Sequence, residues 1–294
     1  MLEKMLKKYK MFKTMTAKTA SKAHTKKENK PMIEDGHLST CIPTCGMKLK
    51  DYQKEGVDWL CFNWHQHRNV LLCDEMGLGK TCQVTLHYFL NVACTFMLKQ
   101  MTNFKKYCSI VFLNYLKEIQ KINGPFLIAA PLSTIGHWRR ETERFTEMYA
   151  VVYHGDSDSK RVIKEYEFPA RDSKNKRIEG AYRFHVLITT YDSLITDKYV
   201  LSKIPWKVLI VDEAHRLKNK DCKLWTILQN SYSCEFSLLL TGTPVQNNVE
   251  ELWSLLHFID PQHFSNLADF ETKFVFFWYF DHVLSNSCYI IVII

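Results

Sequence analysis

Lys80 and Thr81 close a run, residues 70–81, that reads VLLCDEMGLGKT, with two glycines, Gly77 and Gly79, ahead of a lysine and a hydroxyl. Glycines let backbone N–H groups turn inward around an anion, and a helix N-terminus beyond them adds positive potential. A lysine in that place meets β- and γ-phosphates as a point charge, and the threonine offers its hydroxyl to Mg²⁺. On this reading Asp74, Glu75, Met76, Gly77, Leu78, Gly79, Lys80 and Thr81 form a phosphate-binding loop for ATP. Asp74 stands where such loops usually begin with glycine. GLGKT alone is a weak signal. The apolar strand expected over 70–73 and the helix expected from Thr81 strengthen it.

The complementary chemistry lies far downstream. Asp212 and Glu213 follow the apolar run VLIV. A carboxylate there can hold Mg²⁺ through water, opposite Thr81, while its neighbour orients and deprotonates an attacking water. Adjacent acids also open many ordinary helices. The preceding strand and the upstream loop make this pair specific, with Lys80, Asp212 and Glu213 as the catalytic set. His215 would relay the nucleotide state to Thr241 and Gly242 at another strand end, with Gln246 in the same TGTPVQN run; the alternative is a surface histidine. Gln53 lies in the helical pattern LKDYQKEGVDWLCFNW, where an amide can read adenine as donor and acceptor or simply be exposed. PLSTIGHW and ITTYDSL place Ser133, Thr134, Thr189 and Thr190 at strand ends. Their hydroxyls suit sugar-phosphate oxygens, which carry position rather than sequence. Trp138 is as readily a core residue as a DNA contact.

These residues need a common scaffold. Apolar runs at 126–130, 150–153, 184–190, 208–211 and 237–240 alternate with helical segments, which implies a parallel sheet with helices on both faces. Ligands collect at the carboxyl ends of such strands, and every motif above lies at one. The stretch 167–181, EFPARDSKNKRIEGA, reads as a surface loop.

The 294 residues suffice for one large or two ordinary domains, and a composition 46% hydrophobic and 24% charged is that of a soluble globular chain. The net charge of +8 permits a polyanion partner without demonstrating one. Ten scattered cysteines with no repeated CxxC pairing point to free thiols in a reducing compartment. His37, Cys41 and Cys45 are too loosely spaced, with no second pair, to favour zinc over loop thiols. Residues 1–47 form a Lys-rich leader, expected to be disordered, whose first thirty residues hold ten lysines and only Glu3 and Glu28 as acids. Such a leader is a solvated tail, or serves nuclear targeting or nucleic-acid contact. No secretory signal is visible.

Two stretches break the pattern. Phe89-Leu90-Asn91 recurs as Phe112-Leu113-Asn114, and excising what lies between joins one helical pattern. Residues 91–114 therefore read as an insertion, of the kind translated non-coding sequence leaves, expected to be extruded and poorly packed. Residues 275–294, VFFWYFDHVLSNSCYIIVII, approach the length of a membrane span, but Asp281 and His282 interrupt them. An aggregation-prone tail is the simpler reading, and no membrane partner is expected.

In order and spacing, Gln53, DEMGLGKT, PLSTIGHW, ITTYDSL, DEAHRLKN and LLLTGTPVQNNVEELWSLLHFI resemble the first motor lobe of Swi/Snf-family chromatin remodellers, within helicase superfamily two. Asp74 in the first-glycine place is normal there. NWHQHRNVLLCDEMGLGKT, RDSKNKRIEGAYRFHVLITTYDSL and DEAHRLKNKDCKL look most like the chromodomain-helicase-DNA-binding type, in its kismet-like branch. The resemblance covers residues 48–274 apart from the insertion. It implies a single RecA-like lobe of the P-loop NTPase class, using ATP and Mg²⁺ to translocate along double-stranded DNA and slide nucleosomes in the nucleus, with histone tails as further partners. No second-lobe motifs follow residue 274, and no chromodomains precede the motor. That lobe supplies arginines worth roughly 10³–10⁵ in rate in related hydrolysis. The expectation is a truncated fragment that binds nucleotide weakly and turns over little, the alternatives being a non-catalytic DNA- or histone-binding decoy and an incomplete gene product.

Overall fold

The computed structural model describes residues 51–73, 93–217, 219, 222–242, 249–272 and 291–292. In chain order the elements are α1 (Asp51–His65), β1 (Val70–Cys73), α2 (Ala93–Glu118), β2 (Phe126–Ala129), α3 (Leu132–Phe145), β3 (Ala150–Tyr153), α4 (Ser157–Tyr166), β4 (Pro169–Arg171), β5 (Arg177–Tyr182), β6 (Val186–Thr189), α5 (Tyr191–Thr196), α6 (Lys198–Leu201), β7 (Trp206–Val211), a 3₁₀ turn (Ala214–Leu217), α7 (Lys223–Ser231), β8 (Cys234–Thr241), α8 (Val249–Ile259) and β9 (Ile291–Val292). Seven strands form one sheet in the order β3-β6-β2-β7-β8-β1-β9. All neighbours run parallel except β9, which lies antiparallel to β1. The α/β sheet expected from the apolar runs is the one that forms.

Both faces of the sheet are buried, which is why its strands read as continuous apolar runs. Side chains alternate along each strand. Leu71, Leu127, Leu187, Leu209 and Leu239 pack on one face, in a cluster that includes Leu194 of α5, Leu228 of α7 and Leu256 of α8. The alternate residues Phe126, Ile128, Ile188, Ile210 and Leu238 are buried too. Among that second set is Phe236 of β8, which meets Trp64 of α1 and Phe112 of α2 at ring-centroid distances of 5.6 and 5.5 Å.

Two expectations are corrected. Within the stretch read as an insertion, the part at 105–114 is not extruded: it belongs to α2, and Cys108, Ile110, Phe112 and Leu113 are fully buried. Its apolar residues supply what a sheet-covering helix needs, so burial outweighs the break in pattern. The first copy of the repeat, Phe89-Leu90-Asn91, lies outside the described residues, whereas the second fills the core. The stretch 167–181 is no irregular loop either. It contains β4 and most of β5, paired as an antiparallel hairpin. Asp172 Oδ1 accepts from the N–H groups of Lys174 and Lys176 at 2.9 and 2.8 Å, and Asn175 takes the left-handed conformation at φ 62°. That is ordinary turn chemistry for Asp and Asn.

The leader 1–47 lies outside the described residues, as does the tail 275–294 apart from β9. No helix among the described residues is long and apolar enough to cross a membrane.

At the sheet's amino-terminal edge, the His185 carbonyl accepts from Phe126 N at 2.8 Å and its Nδ1 accepts from Tyr149 N at 2.9 Å. Burial lowers the His185 pKa, and the Lys117 charge adds to the effect. The unfolded chain takes up this proton near pH 6.5 and the folded chain only at lower pH. The stabilising contribution is therefore intact above about pH 6.5 and lost as pH falls through the folded value. Urea unfolding followed from pH 7.5 to 5 should show declining stability, with a smaller decline in His185→Gln. In the same assay Phe112→Ala should cost about 3–5 kcal/mol, whereas Ile178→Ala on the exposed hairpin should stay within about 0.5 kcal/mol.

Candidate active site

The carboxyl ends of the parallel strands form one rim. Cys73 of β1 pairs with Thr241 of β8, Val211 of β7 with Leu239, and Ala129 of β2 with Val211. Asp212, Glu213, Thr241 and Gly242 thus gather where β7 and β8 end, with Thr241 beside Cys73 and β7 one strand further out. Residues 74–81, Asp74 to Thr81, continue the chain from Cys73 and lie outside the described residues, as does Gln246.

Asp212 is the centre of the described part. It is only 6% exposed, yet it carries a carboxylate, so its oxygens must be met by donors. Trp138 Nε1 donates to Oδ2 at 2.8 Å, Lys106 Nζ lies 3.1 Å from the same oxygen, and Thr134 Oγ1 lies 3.5 Å away. Glu213 N donates to Oδ1 at 3.1 Å. The Asp212 main chain is held as well: its N–H donates to Ala129 O at 2.8 Å, and its carbonyl accepts from the Tyr191 hydroxyl. Burial raises the Tyr191 pKa, and the Asp212 and Glu213 charges add to it, so this hydroxyl stays a donor.

Glu213 adopts φ 52°, a left-handed conformation uncommon for a non-glycine residue, and such outliers collect at functional sites. Its side chain turns to solvent, with Oε2 3.2 Å from His215 Nδ1. One carboxylate is thus buried and fixed while its neighbour is reachable by water. Oxygen donors of this kind suit a hard divalent cation, and Asp212 Oδ1 takes only the Glu213 N–H among the described contacts.

The remaining candidates divide by burial. Trp138 is fully buried, and its indole N–H is used on Asp212, so the core alternative holds and its ring does not meet nucleic acid. Thr189 is also fully buried, its hydroxyl donating to Tyr153 O at 2.8 Å. Thr190, 4% exposed, is the N-cap of α5. Direct DNA contact through these three side chains is therefore corrected: β2, β6 and the following helices consume them. Ser133 is exposed and Thr134 half-buried at the start of α3. Gln53 lies in the first turn of α1, and its carbonyl accepts from the Cys108 thiol at 3.6 Å.

Sequence reasoning missed three site residues. Lys105 Nζ donates to Thr241 O at 2.6 Å, Lys106 pairs with Asp212, and Tyr191 holds the Asp212 carbonyl. The one available signal was Lys105-Lys106 directly ahead of the apolar run 107–113, YCSIVFL, since lysines are rarely enclosed without a partner.

The chain, whose described part is a mostly parallel α/β sheet with an acidic pair at the rim, is matched over residues 52–278 by the SNF2-related domain, and it belongs to that family. Among curated proteins it is 46% identical over 227 residues to Chromodomain-helicase-DNA-binding protein 7 of Homo sapiens, covering 77% of this chain and 7% of that protein. It is 45% identical over 229 residues to Chromodomain-helicase-DNA-binding protein 8 of Xenopus tropicalis, covering 78% and 9%. The chain thus spans less than a tenth of the length of these relatives. Among solved structures, the Sulfolobus solfataricus SWI2/SNF2 ATPase core in complex with double-stranded DNA is similar in fold, with TM-score 0.55, 24% identity, and 77% of this chain and 39% of that one covered.

Trp138→Phe keeps the aromatic bulk but removes the donor to a buried charge, so urea unfolding should show a loss of about 1.5–3 kcal/mol. Arg139→Ala, which breaks an exposed pair with Glu143, should cost no more than about 0.5 kcal/mol.

Proposed function

We propose that this chain is the ATP-binding motor lobe of a chromatin-remodelling ATPase that translocates along double-stranded DNA. The observation that supports it most is the buried Asp212 carboxylate at the end of β7, separated by the single strand β8 from Cys73, where the chain leaves β1 toward the GKT residues. In this reading Lys80 and the backbone of residues 74–81 would bind the phosphates, Gln53 would read adenine, and Thr81 and Asp212 would hold the Mg²⁺ that accompanies ATP. Bound there, Mg²⁺ would offset phosphate charge. Glu213, exposed beside the fixed Asp212, orients the attacking water and takes its proton. His215, 3.2 Å from Glu213, senses that change of charge and couples it to Thr241, Gly242 and Gln246. Ser133, exposed at the start of α3, remains available for sugar-phosphate contact, whereas the Thr134 hydroxyl donates to Pro131 O and faces Asp212.

The partners are double-stranded DNA and nucleosomes, with histone tails as a further contact, and the compartment is the nucleus. Slow turnover by this chain is the expectation, because Lys106 already neutralises the Asp212 carboxylate that would face Mg²⁺. That same pair favours a second reading, a non-catalytic DNA- or histone-binding decoy. A fluorescent ATP analogue with Mg²⁺, titrated into the purified chain with and without duplex DNA, separates the two. The motor reading predicts that Lys80→Ala weakens nucleotide binding by roughly tenfold or more, and that Glu213→Gln binds nucleotide but does not hydrolyse it. Nucleotide binding untouched by Lys80→Ala, with DNA binding intact, would leave the decoy.

A further inference from the structure

The cation that meets Asp212 is supplied by the chain itself. Lys106 Nζ and Asp212 Oδ2 are 3.1 Å apart, and the two side chains are 15% and 8% exposed, so this is an enclosed pair that salt screens little. The ammonium also stands 5.4 Å from the Trp138 ring centroid, where the π-face attracts a cation. Trp138 in turn donates to the same carboxylate oxygen. One residue earlier, the buried Lys105 is bonded to the Thr241 carbonyl. Two consecutive ammonium groups therefore fasten α2 to the ends of β7 and β8. A divalent cation bound through Asp212 needs this carboxylate, and it would repel an ammonium held a few ångströms away.

We propose that Lys106 is a built-in competitor for the divalent cation at Asp212: its ammonium neutralises Oδ2 and repels the ion, so that Mg²⁺ enters with nucleotide at this carboxylate only after Lys106 Nζ has moved away. This rests on the reading of Asp212 as the carboxylate of a nucleotide site. When only a fraction of molecules is competent to bind, the apparent Kd rises by the inverse of that fraction. With Lys106 paired in roughly nine molecules of ten, its removal tightens Mg²⁺ binding about tenfold. A lysine that instead served as a phosphate ligand would produce the opposite change.

The test is calorimetric titration of Mg²⁺ into the full chain at saturating ADP, for the wild type, Lys106→Met and Lys106→Arg. Lys106→Met should tighten Mg²⁺ about tenfold, while Lys106→Arg, which keeps a cation there, should stay within about twofold of wild type. Melting curves check that each variant is folded, and Lys106→Gln replaces the methionine variant if that one is not. Equal Mg²⁺ affinity in wild type and the neutral variant overturns the competition alone. Weaker affinity in the neutral variant also overturns it and makes Lys106 a phosphate ligand. No binding of Mg²⁺ with ADP by any of these proteins removes the nucleotide reading and the competition together.

Discussion

A carboxylate taken out of water must be met by donors, because an unmatched buried charge is costly, and Asp212 shows what that demand does to a fold. Its side chain is reached by Trp138 and Thr134 from α3 and by Lys106 from α2, while Tyr191 of α5 holds its carbonyl. Three helices are thereby referred to one residue at the end of one strand. Apolar burial determines that helices cover the sheet. The satisfaction of this charge determines how their ends meet at the rim. A buried pair of this kind adds little net stability, because desolvation offsets attraction, but it penalises arrangements that leave the charge unmatched.

The sheet supplies the other half of the geometry. Parallel register sets Cys73, Ala129, Val211 and Thr241 on a common rim, so residues far apart in sequence become neighbours without long loops. Phe112, Trp64 and Phe236 lock α1, α2 and β8 together on one face. Since Lys105 and Lys106 lie on the same helix as Phe112, the core contact that positions α2 also carries two ammonium groups to the rim.

The central strands were legible because burial on both faces leaves nearly uninterrupted apolar runs. β3 was read to the residue, while β7 and β8 begin before the expected runs because Lys207 and Glu235 interrupt the apolar signal without interrupting the backbone ladder. The hairpin of β4 and β5 was hidden by its composition: Arg177, Glu179 and Gly180 face solvent, so no apolar alternation marks the strand. Helix α2 was misjudged for a different reason. Its second half breaks the motif order, but packing responds to volume and polarity rather than to order, and Phe112-Leu113 fits the core. The acidic pair was visible as a motif, whereas the groups that hold it were not. Nothing in the types of Trp138 or Tyr191 announces a bond to Asp212; only the three-dimensional meeting of α3, α5 and β7 does.

The claim on which everything else depends is that Asp212 and the loop beyond Cys73 close on one triphosphate. A crystal structure of this chain with a non-hydrolysable ATP analogue and Mg²⁺ tests it directly. The account predicts the γ-phosphate between Lys80 and Asp212, with Lys106 drawn away from the Asp212 carboxylate. An analogue bound elsewhere, or Lys80 turned away from Asp212 with no cleft between them, would contradict it.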